Sequence, residues 1–155
     1  MEKAEIVPGR GVGEILLGMT QNQVENIIGK PDEIEEVDYE DGESAITWFY
    51  YDLQIDLNFE SEDDLRLSFI SVENEKYSLG GKIKVGMDKA SVLAACKALN
   101  LSEPEIEDFS SEDVPDQELI GLEKENLNLW FTDGKLDEIQ FGPFWKDDET
   151  PIWPN

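Results

Sequence analysis

The chain has 155 residues and a mass of 17.6 kDa, which suits one domain or two very small ones and is too little for a multidomain enzyme. Its 37 Asp and Glu against 12 Lys and Arg give a formal net charge of -25. That excludes nucleic acid as a direct ligand, since phosphate binding rests on Lys and Arg, and argues against an anionic lipid surface. There is no histidine, so Ser–His and Cys–His catalysis, an imidazole base and every His-containing metal site are excluded.

The N-terminal stretch MEKAEIVPGRGVGEILLG has no basic start followed by an apolar run, and no 18-residue apolar stretch occurs anywhere, so the expectation is a cytoplasmic chain without membrane insertion. The lone Cys96 can form no internal disulfide and agrees with a reducing compartment. Gly9-Arg10-Gly11-Val12-Gly13 has neither the Lys-Ser/Thr of a P-loop nor a dinucleotide fingerprint, and reads as an entry loop. Thr20 followed by Gln23 is a capping box that starts a helix. Val24, Ile27 and Ile28 form its apolar stripe, and Gly29 with Pro31 stops it.

From Pro31 to Leu65 there are fourteen acids and no base. Within that run Ile46, Trp48 and Tyr50, then Ile55, Leu57 and Phe59, alternate as two half-buried strands. Trp48, Phe49, Tyr50 and Tyr51 are consecutive, so a strand must point them to both faces. Either the C-terminal Phe144, Trp145 and Trp153 cover the second pair, or an aromatic strip bordered by acids is left open to a partner. Asp38 to Gly42 offers carboxylates around a glycine, but glycine misses the sixth position of a calcium loop. Among so many acids no glycosidase pair stands out.

The second half repeats the first. Gly13 to Val24 matches Gly81 to Val92 at an offset of 68 as G-x-I-x-[LV]-G-M-[TD]-x-x-x-V. Asp88 takes the helix cap, Val92, Leu93, Cys96 and Leu99 form the stripe, and Asn100 ends it. A second acidic run, nine acids without a base from Ala98 to Glu123, precedes alternating residues through Leu122, Leu127, Leu129 and Phe131, with a hairpin turn at Thr132 to Lys135. The expected fold class is therefore α+β: two tandem helix-plus-antiparallel-meander repeats of about 70 residues, over 1–78 and 79–142, with an extension at 143–155.

The pattern from Ile15 to Asp32 resembles the helix entry of SmpA/OmlA-type outer-membrane lipoproteins, and two such units in tandem resemble the β-lactamase inhibitor protein (BLIP) fold. The resemblance implies a saddle that grips another protein. The functional expectation is a non-enzymatic, BLIP-like acidic inhibitor or immunity protein without cofactor or metal. It would occlude a basic protein partner such as a toxin. The acids lie in two corresponding loops, and either solubilise the chain or steer it to that partner. The candidate contacts are Glu35, Glu36, Asp38, Asp41 and Trp48 in the first half, and Glu105, Asp108, Glu112 and Asp113 in the second. The alternative is an envelope assembly module whose acidity serves solubility.

Overall fold

The computed structural model describes residues 5–113, 115–147 and 150–154. In chain order it has β1 (Glu5–Val7), β2 (Gly11–Val12), β3 (Ile15–Leu16), α1 (Gln21–Ile28), β4 (Glu33–Asp38), β5 (Ser44–Tyr50), β6 (Ile55–Glu60), β7 (Arg66–Val72) and β8 (Ser78–Leu79). There follow α2 (Lys89–Ala98), β9 (Glu105–Asp108), β10 (Gln117–Leu122), β11 (Leu127–Thr132), β12 (Lys135–Phe141), β13 (Phe144–Trp145) and β14 (Pro151–Ile152).

The two helices begin where their caps dictate. Thr20 Oγ1 accepts from the Gln23 amide at 3.2 Å while Gln23 Oε1 accepts from the Thr20 amide at 2.9 Å, which satisfies two otherwise orphaned donors. Asp88 Oδ1 accepts from the Ser91 amide at 2.8 Å, and that bond holds its carboxyl below the usual range. Gly29, at φ +83°, closes α1.

Eight strands form one sheet in the order β4-β5-β6-β7-β12-β11-β10-β9, every neighbour antiparallel. The halves meet where Ile70, Ser71 and Val72 pair with Phe141, Gln140 and Ile139. Beside this junction the Gly18 amide donates to Leu67 O and the Leu67 amide to Met19 O, both at 2.8 Å. The same two bonds recur at 2.7 and 2.8 Å between Gly86, Met87 and Leu136. The G-M pair of each half thus threads into the point where β7 and β12 begin.

The α+β expectation is overturned. Strands make up 44% of the described residues and helices 14%, with only two helices, and the protein is mostly β. The two meanders do not stand as separate helix-backed units but fuse into a single sheet. The expected loops also changed: residues 33–38 and 105–108, inside the acidic runs, are strands β4 and β9. Alternation fails to reveal them because both are exposed along their whole length, and period two appears only where one face is buried.

One face of the sheet carries the core. Tyr50, Trp48, Ile55, Leu57, Phe59, Ile70, Val72, Ile139, Phe141, Leu129, Leu127, Ile120 and Leu122 join Val24 of α1, Val92 and Cys96 of α2, and Ile6, Val12, Ile15 and Leu79 in one buried cluster. The last four belong to a small sheet, β3-β2-β1-β8, in which β1 and β8 run parallel. Each Leu, Ile or Phe so buried contributes about 1.5–3 kcal/mol. This cluster spans both halves, and the β1–β8 and β7–β12 pairings tie them together. Eight strands at about 4.8 Å are roughly 34 Å wide between the outermost, whereas a helix is about 10 Å across. Two short helices therefore leave the edge strands uncovered.

Candidate functional site

The opposite face of the sheet has no helix on it among the described residues. Register aligns a row that crosses all eight strands: Glu33, Phe49, Asp56, Ser71, Gln140, Asn128, Gly121 and Glu105. Flanking it on the same face lie Glu35, Thr47, Asn58 and Phe69 on one side. On the other are Glu138, Trp130, Leu119 and Glu107. None of these is Lys or Arg. The aromatics here are half-buried rather than covered, and Trp130 is met by the exposed Phe109, their ring centroids 5.2 Å apart. Such an arrangement of partly exposed aromatics rimmed by one sign of charge is suited to protein recognition.

At the centre of the face a cavity of about 310 Å³ is lined by Thr47, Asp56, Asn58, Glu60, Phe69, Ser71, Glu138 and Gln140. A chain of hydrogen bonds orients one of its acids, Glu138. Trp130 Nε1 donates to Gln140 Oε1 at 2.9 Å, Gln140 Nε2 donates to Glu138 Oε2 at 2.9 Å, and Ser71 Oγ donates to the same carboxylate oxygen. Burial, and then the charge of Glu138, push the Asp56 carboxyl above its ordinary range. Glu73 is raised by burial and by Glu138, Asp56 and Asp137. Glu60 is also raised, chiefly by burial, although the Tyr39 hydroxyl hydrogen bond opposes the shift. Asn58 donates to Thr47 Oγ1 at 3.2 Å, but its Oδ1 is buried with no partner among the described residues. The face thus holds uncompensated negative charge and an unused acceptor.

The expected contacts divide between two places. Glu35, Glu36, Asp38 and Asp41 lie on β4 and the turn after it, at one edge; Glu105, Asp108, Glu112 and Asp113 lie on β9 and the loop after it, at the other. Glu35 and Glu105 point to the helix-free face, while Glu36 and Asp38 share the face of Ile46, on the helix side. Asp41 Oδ1 caps the Glu43 amide at 2.9 Å and Asp108 Oδ1 caps the Ser110 amide at 2.8 Å, so both already serve turns. The hydrogen bonds from Ser110 hold the Asp108 carboxyl below its usual range. The two clusters do not converge.

Trp48 needs correction. It is only 6% exposed and packs on Phe59, ring centroids 5.0 Å apart, so it is a core residue rather than a partner contact. Strand parity turns Phe49 outward in its place. Tyr50 is buried, donates its hydroxyl to Gly29 O at 2.8 Å, and is pushed by burial to a pKa of about 12. The C-terminal aromatics do not cover the row. Pro143 and Trp145 lie on the Phe69 flank of its middle, beside Glu60 and Tyr39, and Trp153 packs over Gly18.

Sequence reasoning missed Asp56, Asn58, Phe69, Glu73, Trp130, Glu138 and Gln140. Their signal was the polar or aromatic residue between core positions, as in Ile55-Asp56-Leu57-Asn58-Phe59 and Ile139-Gln140-Phe141. Among the described residues no group of acids is arranged to hold a metal ion, and no helix is long and apolar enough to cross a membrane. No protein-family model, curated protein or solved structure matches the chain, and the resemblance drawn above rests on the quoted residues alone.

Proposed function

We propose that this chain is a non-enzymatic protein-binding module, an acidic inhibitor or immunity protein that occludes a basic partner such as a toxin. The observation that carries the reading is the helix-free face. Its register-aligned row runs from Glu33 to Glu105 without a base, with Phe49, Phe69 and Trp130 half-buried around acids whose carboxyls burial and neighbouring carboxylates raise. A cationic protein surface would supply the missing charge, and the aromatics would supply the apolar anchor. The acidic edges, β4 and β9, extend the negative field on either side and would steer encounter. A reducing cytoplasm suits the reading, since Cys96 is buried and unpaired.

The test is affinity capture from the producing organism's lysate with the wild-type chain and with F49S/W130S, washed with rising salt. The reading expects one strongly basic protein that the wild type retains, that salt releases and that the variant does not hold. Identical retention by both chains, or retention indifferent to salt, contradicts it.

A further inference from the structure

We propose that the central cavity of the helix-free face is a pocket for an arginine side chain of the basic partner. The inference rests on the docking reading above and names the chemistry of its anchor. Three features favour a guanidinium. Glu138 lines the cavity and is held by Ser71 and Gln140 through one oxygen, Oε2, which leaves Oε1 available to accept from a ligand. Asn58 lines the same cavity, and its Oδ1 is buried beneath the surface with no partner among the described residues. A buried acceptor without a donor is unfavourable, so turning the amide toward a donor brought by a ligand would relieve it. Asp56 adds a second carboxylate across the cavity, and Phe69 an aromatic wall.

A guanidinium is planar and carries five donors with no acceptor, and it stacks on aromatic rings. It can therefore answer two carboxylates and an amide oxygen at once. An ammonium, with three donors on one atom, meets fewer of these diverging acceptors. The volume, about 310 Å³, accommodates a side chain rather than a folded segment. No Lys or Arg lines the cavity, and burial together with neighbouring carboxylates raises the carboxyls of Asp56 and Glu73.

The test is nuclear magnetic resonance of the ¹⁵N-labelled chain, titrated with N-acetyl-arginine-N-methylamide and, in parallel, with the neutral citrulline analogue. The expected result is saturable movement of the Asn58 and Gln140 side-chain amides and the Trp130 indole, with the citrulline probe silent. In E138Q the arginine affinity should fall by about tenfold, the scale of one lost hydrogen bond to a charged group. D56N, which relieves repulsion without breaking a hydrogen bond, is the second variant and should weaken the probe while remaining folded. Equal responses to arginine and citrulline overturn the proposal, as do shifts confined to β4 and β9. Calcium chloride displacing arginine with the same shifts would likewise overturn it in favour of a metal site. If the arginine probe is refused while a basic protein is still captured in a salt-dependent way, the pocket assignment falls and the docking face stands. If the probe docks but no basic protein is retained, the pocket stands and the wider reading falls.

Discussion

Replacing Asp56 with asparagine should stabilise the fold at neutral pH. Asp56 and Glu138 sit two strands apart and two residues out of step, which places their Cα atoms about 12 Å apart from the usual strand spacing and rise. Both side chains line one cavity, and for carboxylates about 8 Å apart at an effective dielectric of about 20 the repulsion is about 2 kcal/mol. A Debye length of about 8 Å in physiological salt and the partial exposure of both groups reduce that to under about 1 kcal/mol. Relief of the burial cost of the Asp56 charge adds to it. The expected gain is about 1 kcal/mol, or about 2–4 °C in Tm for a chain of this size. Thermal unfolding followed by circular dichroism at pH 7 and pH 4.5 measures it. Because the Asp56 carboxyl is raised above its ordinary range by burial and by Glu138, the advantage should shrink toward the lower pH, as the wild-type group takes up its proton. A D56N chain no more stable than wild type at pH 7, or equally advantaged at both pH values, would refute the electrostatic reasoning.

Three further outcomes follow from the same structure. Carboxyls whose pKa is raised by folding, Asp56, Glu60 and Glu73, bind protons more readily in the native than in the unfolded state, so wild-type stability should rise as pH falls from 7 through their native range; it should then decline as Asp88 and Asp108, lowered by folding, are protonated below the ordinary Asp value. Denaturant midpoints across pH 3–8 that fall steadily from neutral would count against this. Gly86→Ala, at φ +101° with open space around it, should cost only backbone strain of about 1–3 kcal/mol, whereas Gly18→Ala, at φ +88° with a Cβ 3.1 Å from Trp153, should cost more; equal losses in chemical denaturation would contradict the docking of Trp153. Neutralising the β4 edge as E33T/E35T/E36T/D38T should produce concentration-dependent association in light scattering, since an uncharged edge offers its free amides and carbonyls to another chain, and a variant that stays monomeric would show that these acids do not guard the edge.

The sequence was most legible where burial imposed a period. The two caps, the stripe at Val24 and Val92, and the alternations at Ile55 to Phe59 and Leu127 to Phe131 are where the structure has them. The fused sheet was not legible, because nothing local to Ser71 or Gln140 reveals that β7 will pair with β12 across half the chain. The edge strands escaped because Glu33–Asp38 and Glu105–Asp108 bury neither face. Their charge resembles loop composition, although charge is also what edge strands commonly carry against edge pairing. The candidate site suffered a related error. Charge density marks the edges, while the acids with raised pKa values, Asp56 and Glu73, sit singly amid core residues, and only sheet register places Asp56 on the same face as Glu138.

The most direct measurement of the central claim is the association and dissociation rate of the captured partner across 50 to 500 mM salt, by stopped flow. Wild-type and F49S/W130S chains should be compared. The wild-type association rate should fall steeply with salt while dissociation changes little, and the variant should associate almost normally but dissociate much faster because the aromatic anchor is gone. Rates indifferent to salt, with a variant that binds as well as the wild type, would contradict the assignment of this face to a basic partner.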